Sequence, residues 1–376
     1  MKLQYRSGGF TLVEVLVAAG IIVILMTVLL GMTDQTQRLV KATSSKVEQF
    51  QESRVAFESM TRRLSQATLN SFWDYRYGPT GSPNGYERKS ELRFHSGPMK
   101  SLTGESPTLW PGHGVFFQAP LGVVSDNQKL GALDHLMNSW GYFVEIGDDK
   151  NKYPKFLDSV ITPRKRYRLM EFMEPSEKLS VYKYQNDINN NLWFSTSIKP
   201  SKNPTDTDSR PVRVLAENVV ALILLPRLSL ADEKRISAPL LAPAYKYDST
   251  IVPTASSNSA SANSLSGSLL NSFNQLPPVV QVIMVAIDEP SARRLEDLYG
   301  SDPYLGIGTN PDPITGKTLF TDPAALNDSA SGTAGDLTRL QNLLSSSSKP
   351  NIRAAYRVFS TNVTIKGAKW SLHTAQ

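Results

Sequence analysis

Residues 15–32, VLVAAGIIVILMTVLLGM, carry no charged side chain, and counting back to Phe10 the only charge in the apolar stretch is Glu14. At about 1.5 Å of rise per residue a segment of this length crosses about 30 Å of hydrocarbon, and a lone segment can do so only as an α-helix. A membrane-spanning helix is therefore expected at about 10–32. A short polar leader with Lys2 and Arg6 precedes it. Arg38, Lys41 and Lys46 follow on the other side, so the brevity of the leader rather than the charge count sets the expected orientation, with the amino terminus cytoplasmic. The reading is a single-pass protein of the cytoplasmic (inner) membrane whose bulk is periplasmic or otherwise extracytoplasmic.

The small residues Gly8 and Gly9 come before the apolar run, the reverse of a secretory signal, in which they follow it. A cut after Gly9 would remove the leader and leave the whole hydrophobic helix on the mature chain. It would also expose an α-amino group on Phe10, about one helical turn from Glu14. A carboxylate in lipid is costly and is found with a partner. An amine and a carboxylate paired between neighbouring subunits would fix their axial register.

The string GFTLVE, Gly9 to Glu14, resembles the class III signal of type IV prepilins and type II secretion pseudopilins. The resemblance implies cleavage after Gly9 by a prepilin peptidase, methylation of Phe10, and a part for Glu14 in filament assembly. Its implied partners are other pilin-like subunits, an inner-membrane assembly platform and the lipid bilayer. The order of the last elements is similar to that of J-type minor pseudopilins of type II secretion, with a strand, an irregular loop, LPPVVQVIMVAI, and a terminal strand pair ending in Trp370. Over nearly the whole chain, segments such as SELRFHSGP, RYRLMEFMEPSE, LAENVVALILLPR and RVFSTNVTIKGAKWS resemble the Verru_Chthon cassette protein C family, which implies a pilin-like cassette and no assigned activity.

From Asp34 to about Leu69 the chain is polar and free of proline, with Val47, Phe50, Phe57, Met60, Leu64 and Ala67 at helical spacing. One long helix over 10–69 is expected, its Phe57–Ala67 stripe packed on the protein's own head. Beyond it, 70–376 reads as a β-rich head. FWDYRYGPTGSPNG ends the helix in turn residues. The runs SELRFHS, GVFFQAP, GYFVEI, RYRLMEF, LSVYKY and LWFSTSI read as short strands, followed by VRVLAENVVALILLPRL, PPVVQVIMVAIDE and AAYRVFSTNVTIKGAKWS. Glu217 and Asn218 mark a helix-to-strand turn or a bulge inside the first of these. VVQVIMVAI, apolar on both faces, suits a central strand. The expected class is α+β, pilin-like, with the long helix on a largely antiparallel sheet. A Ser-rich flexible loop is expected at about 254–272 and a second flexible stretch at about 311–348.

Composition excludes several functions. There is no cysteine, hence no disulfide and no thiolate chemistry. The net charge of +6 is spread through 40 basic and 34 acidic residues, and no nucleic-acid partner is expected. The one tight basic cluster, Arg164 to Arg168, reads as a solvated strand end, as do Asp148 with Asp149 and Asp288 with Glu289. TGKT at 315–318 lacks the preceding phosphate-loop glycine. LGIGTN lacks the third glycine of a dinucleotide site. Asp187, Asn189 and Asn191 lack the glycine and acid of a calcium loop. The four histidines are far apart in sequence. No enzyme, cofactor or metal is expected. The leading reading is a structural assembly subunit. The alternative is a membrane-tethered extracytoplasmic binding module that does not polymerise, with Trp73, Tyr75, Tyr77, Trp110 and Trp140 as candidates for a carbohydrate groove.

Overall fold

The computed structural model describes residues 11–106, 109–131, 133, 135–148, 156, 160, 163–185, 191–200, 209–236, 241–251, 264–265, 268–269, 272–300, 305–308, 311–347 and 351–370. The chain divides into two compact units, Met1–Gln51 and Glu52–Gln376. Among the described residues the helices are α1 (Leu12–Leu64), α2 (Met99–Thr103), α3 (Asn127–Leu130), α4 (Ser180–Lys183), α5 (Leu192–Ile198), α6 (Leu230–Ile236), α7 (Glu289–Tyr299) and α8 (Asp336–Ser345). The strands are β1 (Phe72–Tyr77), β2 (Pro83–Lys89), β3 (His95–Pro98), β4 (His113–Pro120), β5 (Met137–Gly147), β6 (Arg166–Glu174), β7 (Val212–Glu217), β8 (Val219–Arg227), β9 (Tyr247–Asp248), β10 (Ser264–Leu265), β11 (Ser268–Leu269), β12 (Val279–Ile287) and β13 (Tyr356–Thr364). The chain is α+β, with a long amino-terminal helix and antiparallel sheets, as expected for a pilin-like fold.

The larger sheet has six strands in the order β7-β6-β5-β4-β3-β9, and β8 packs on it from a second, three-stranded sheet, β13-β12-β8. VVQVIMVAI is the central strand of that smaller sheet, as its two apolar faces require. Asn218, in the left-handed region at φ 58°, is the turn that separates β7 from β8.

Alternation along β4, β5 and β6 gives the six-stranded sheet two different faces. One carries Phe116, Phe143, Met170 and Phe172, packed with Trp193 and Phe194 of α5 into the main apolar cluster. Phe116 and Phe194 stack at 3.8 Å. Gly141 lies opposite Phe116 in the ladder, and a Cβ there would collide with the Phe116 ring. The other face carries Trp140, Tyr142 and Glu171, met by the last turns of α1. Ala56, Phe57, Met60 and Leu64, three or four residues apart, are buried there, and Phe57 lies 5.7 Å from Phe359 of β13. The Arg63 guanidinium sits 4.5 Å from the centre of the Trp140 ring and donates to the fully buried Glu171 carboxylate, which also accepts from Tyr142 and Arg213. The helix stops at Leu64, short of the expected 69, because the Thr68 N–H is taken by the Gln118 carbonyl at 2.9 Å.

Several expectations are corrected. LSVYKY and LWFSTSI are helical, as α4 and α5. Both are too short for composition to decide between helix and strand. In α5, Trp193, Phe194 and Ile198 reach one buried side, and α4 starts where the Glu174 carboxylate accepts from the Ser180 N–H and hydroxyl at 3.0 and 2.7 Å. Of SELRFHS only His95 and Ser96 are in a strand. The final run is one strand, β13, and Trp370 lies beyond it. FWDYRY and PNGYERK pair as the hairpin β1–β2. The stretch at 311–348 contains α8, whose Asp336 accepts from the Phe320 N–H at 2.7 Å and whose Leu340 and Leu344 are buried. The Ser-rich segment lies outside the described residues apart from β10, β11 and Ser272.

The cluster at 164–168 is solvated only at its start, where Arg164 is exposed, while Arg166 and Arg168 are buried. Arg166 is buried and donates to Glu296 and Glu289 of α7 at 2.9 and 2.8 Å. Asp288 is buried as the N-cap of α7, accepting from the Ser291 N–H at 3.0 Å. Asp148 is described, and its carbonyl accepts from Arg168 at 2.8 Å, while Asp149 lies outside the described residues.

His113 ties the two sheets together. Its Nδ1 accepts from the Leu224 N–H at 3.1 Å and its Nε2 meets the Phe320 carbonyl at 3.3 Å, an arrangement that requires the neutral imidazole. Burial pushes its pKa down to about 4, against the Phe320 carbonyl. The unfolded chain takes up this proton first as pH falls, so the stabilisation is complete above about pH 6.5 and is lost toward pH 4. Between pH 7 and 5 this one group should remove roughly 2 kcal/mol, read by urea unfolding, and the slope should flatten in His113→Gln. An unchanged slope in that variant contradicts the assignment.

Candidate functional site

The first turn of α1 is built around Glu14. Thr11 precedes the helix, and its N–H and hydroxyl donate to Glu14 Oε2 at 3.1 and 3.0 Å, while the Glu14 N–H donates to Thr11 Oγ1 at 3.3 Å. This is a capping box. A Thr side chain satisfies an amide of the first turn, and the Glu three residues later returns to the amide of the cap. The helix N-terminus favours a negative charge at this position. Glu14 thus has an intrahelical role that the sequence reading does not assign to it. Thr11 is the site residue that sequence reasoning missed, although T-x-x-E before an apolar run is a readable signature. The other expected site residues, Gly9 and Phe10, lie outside the described residues.

Beyond Glu14 the helix has no polar group left unsatisfied in its apolar stretch. Thr27 donates to the Val23 carbonyl at 2.8 Å, and Thr33 and Thr36 do the same to Leu29 and Met32. The first ion pair, Asp34 with Arg38 at 2.8 Å, comes where the apolar run has ended. Among the described residues Leu12–Val40 is the one helix long and apolar enough to cross a membrane, and none of its most apolar window is covered by the rest of the protein. The side chains from Leu12 to Met32 that would be the core of a soluble protein are all exposed. The segment suits a single-pass anchor.

Residues 5–30 match a family model described as a prokaryotic N-terminal methylation motif. The amino terminus is of the prepilin type. No curated protein and no solved structure matches the chain. The matched segment covers the end of the polar leader and nearly all of the apolar run and does not reach the head, so the motif supports processing and a pilin-like character, and the head's own chemistry rests on its residues.

In the head, the five aromatic residues named for a groove do not form one site. Trp110 and Trp140 are buried, Trp110 donating to Glu145 at 3.0 Å, whereas Trp73, Tyr75 and Tyr77 are exposed on β1. No group of three or more His, Asp or Glu side chains suited to a metal ion occurs among the described residues. Asp187 and Asn189 lie outside them, and Asn191 donates to the Leu102 carbonyl at 3.1 Å.

Proposed function

We propose that this chain is a minor pilin or pseudopilin, a structural subunit of a type II secretion or type IV pilus-like filament. The observation that carries the reading is the prepilin-type segment at 5–30 leading into an apolar helix whose one carboxylate stands in its first turn. In this reading a prepilin peptidase cuts after Gly9 at the cytoplasmic face, and Phe10 is methylated. The helix holds the subunit in the inner membrane with its head on the extracytoplasmic side until it joins other pilin-like subunits at an assembly platform. Glu14 then meets the Phe10 amine of a neighbouring subunit. The capping box leaves the carboxylate hydrogen-bonded and, among the described residues, without a cation, so an incoming amine completes the site and sets the axial register. The resemblances to J-type minor pseudopilins and to Verru_Chthon cassette protein C support the same assignment. The chain acts by assembly, without catalysis. Shearing cells and blotting for the protein tests the reading. Recovery in the filament fraction, dependent on the peptidase, is expected, and exclusive retention in membranes contradicts it.

A second reading, a membrane-tethered binding module that does not polymerise, draws on the exposed aromatic residues of β1.

A further inference from the structure

The hairpin β1–β2 forms a two-stranded sheet of its own. Trp73, Tyr75 and Tyr77 alternate onto one face, and the ladder places Arg88 opposite Trp73 and Tyr86 opposite Tyr75 on that same face. The rings of Tyr75 and Tyr86 lie 4.9 Å apart, those of Tyr75 and Tyr77 6.5 Å apart, and the Arg88 guanidinium is 5.2 Å from the centre of the Trp73 ring. Cross-strand ring pairs of this kind help to hold an otherwise marginal hairpin. They leave much of each ring in solvent, with Trp73 56%, Tyr75 46%, Tyr77 60% and Tyr86 55% exposed.

The chemistry of this face is specific. Its exposed apolar surface is mainly aromatic, with Pro83 opposite Tyr77 as an aliphatic ring at its end, and Tyr75 and Tyr86 bring their hydroxyls within 3.5 Å of each other. A flat partner with an apolar face and a hydroxylated edge matches it better than an aliphatic protein surface. The charges of the hairpin are also divided by face. On the opposite side Lys89 pairs with Asp74 at 2.8 Å and Glu87 at 3.4 Å, and Arg76 donates to the Asn84 carbonyl, so two acids offset two bases. On the aromatic side, among the described residues, Arg88 is the single charge and pairs with no carboxylate. Its partial burial lowers its pKa, with the Tyr247 phenol opposing. A complementary partner brings a carboxylate to Arg88 beside the rings that it stacks on the aromatic side chains. A nucleic acid would call for a row of cations along the strand, and this face has one.

We propose that the β1–β2 hairpin is a binding platform for an acidic polysaccharide, with pyranose rings stacked on Trp73, Tyr75 and Tyr77 and a uronate carboxylate on Arg88. The platform is independent of filament assembly and gives either reading of the chain a surface ligand. Calorimetric titration of the full-length protein in detergent micelles with oligogalacturonate tests it, beside a neutral dextran oligosaccharide and an oligothymidylate. Saturable binding of oligogalacturonate is expected, weakened roughly tenfold in Tyr75→Ala and Arg88→Gln and unchanged in Phe72→Ser, which alters the opposite face. Arg88→Gln should also abolish the preference over dextran. Should Tyr75→Ala fail to fold, Arg88→Gln, which keeps every ring, decides alone. No saturable binding by the unmodified protein, equal or tighter binding of the oligothymidylate, or equal loss in Phe72→Ser would overturn the proposal.

Discussion

Glu14→Ala is expected to leave the protein in the membrane fraction and to lower its recovery in sheared filaments by at least about tenfold. Insertion depends on the apolar run at 15–32, which the substitution leaves intact and extends back toward Phe10. In the proposed assembly the carboxylate is required, because only an anion can neutralise the amine that a neighbouring subunit would bring into lipid. Glu14→Gln separates this charge from the capping role. Glutamine serves as well as glutamate in a capping box, so the first turn of α1 keeps its hydrogen bonds. If the Gln variant still fails to assemble, the charge is what matters. If it assembles like the unmodified protein, Glu14 acts only as a helix cap, and the pairing between subunits is wrong.

The second large effect is expected at Glu171. This carboxylate is fully buried and accepts from Arg63 of α1, Tyr142 of β5 and Arg213 of β7, joining three elements at one point. Burial beside the carboxylate pushes the Tyr142 phenol well above its ordinary value, so it stays a donor at any pH the protein meets. Glu171→Ala leaves Arg63, a quarter exposed, and the Tyr142 hydroxyl without their acceptor, and should cost about 3 kcal/mol of head stability. Urea unfolding of the full chain in detergent measures this. Hydrogen exchange in residues 56–64 should rise more than exchange in β4, because Arg63 is the ionic tie between the helix and the sheet. A loss below about 1 kcal/mol, the range of an exposed ion pair, contradicts the role given to Glu171.

Much of the fold is legible in the sequence, for identifiable reasons. GVFFQAP, GYFVEI and RYRLMEF are bounded by turn residues and alternate large apolar side chains onto two covered faces, and each is a strand. The stripe at Phe57, Met60 and Leu64 repeats at helical spacing and is buried where it was expected, on the head. The misses share a cause. LWFSTSI has strand composition, but its conformation is set by Trp193 and Phe194 packing on Phe116, a residue 77 positions away from Trp193 in the chain. LSVYKY is made helical by Glu174, which lies in another element. Arg166, Asp288 and Glu289 look like solvated charges because their partners lie on other elements or at a helix start recognisable only as D-E-P-S before an amphipathic run. At the amino terminus, Glu14 and the membrane helix are evident from charge and length. Thr11 is as readable, and it is overlooked because the acid draws attention to an intermolecular partner before the intrahelical one is considered.

The account rests on the chain being converted from an anchored precursor into a subunit with a free amine at Phe10. Intact-mass and amino-terminal analysis of protein purified from cells with an active prepilin peptidase measures that conversion directly. The account predicts a mature chain that begins at Phe10 and carries one methyl group on its amine. A chain that retains residues 1–9 in those cells contradicts it.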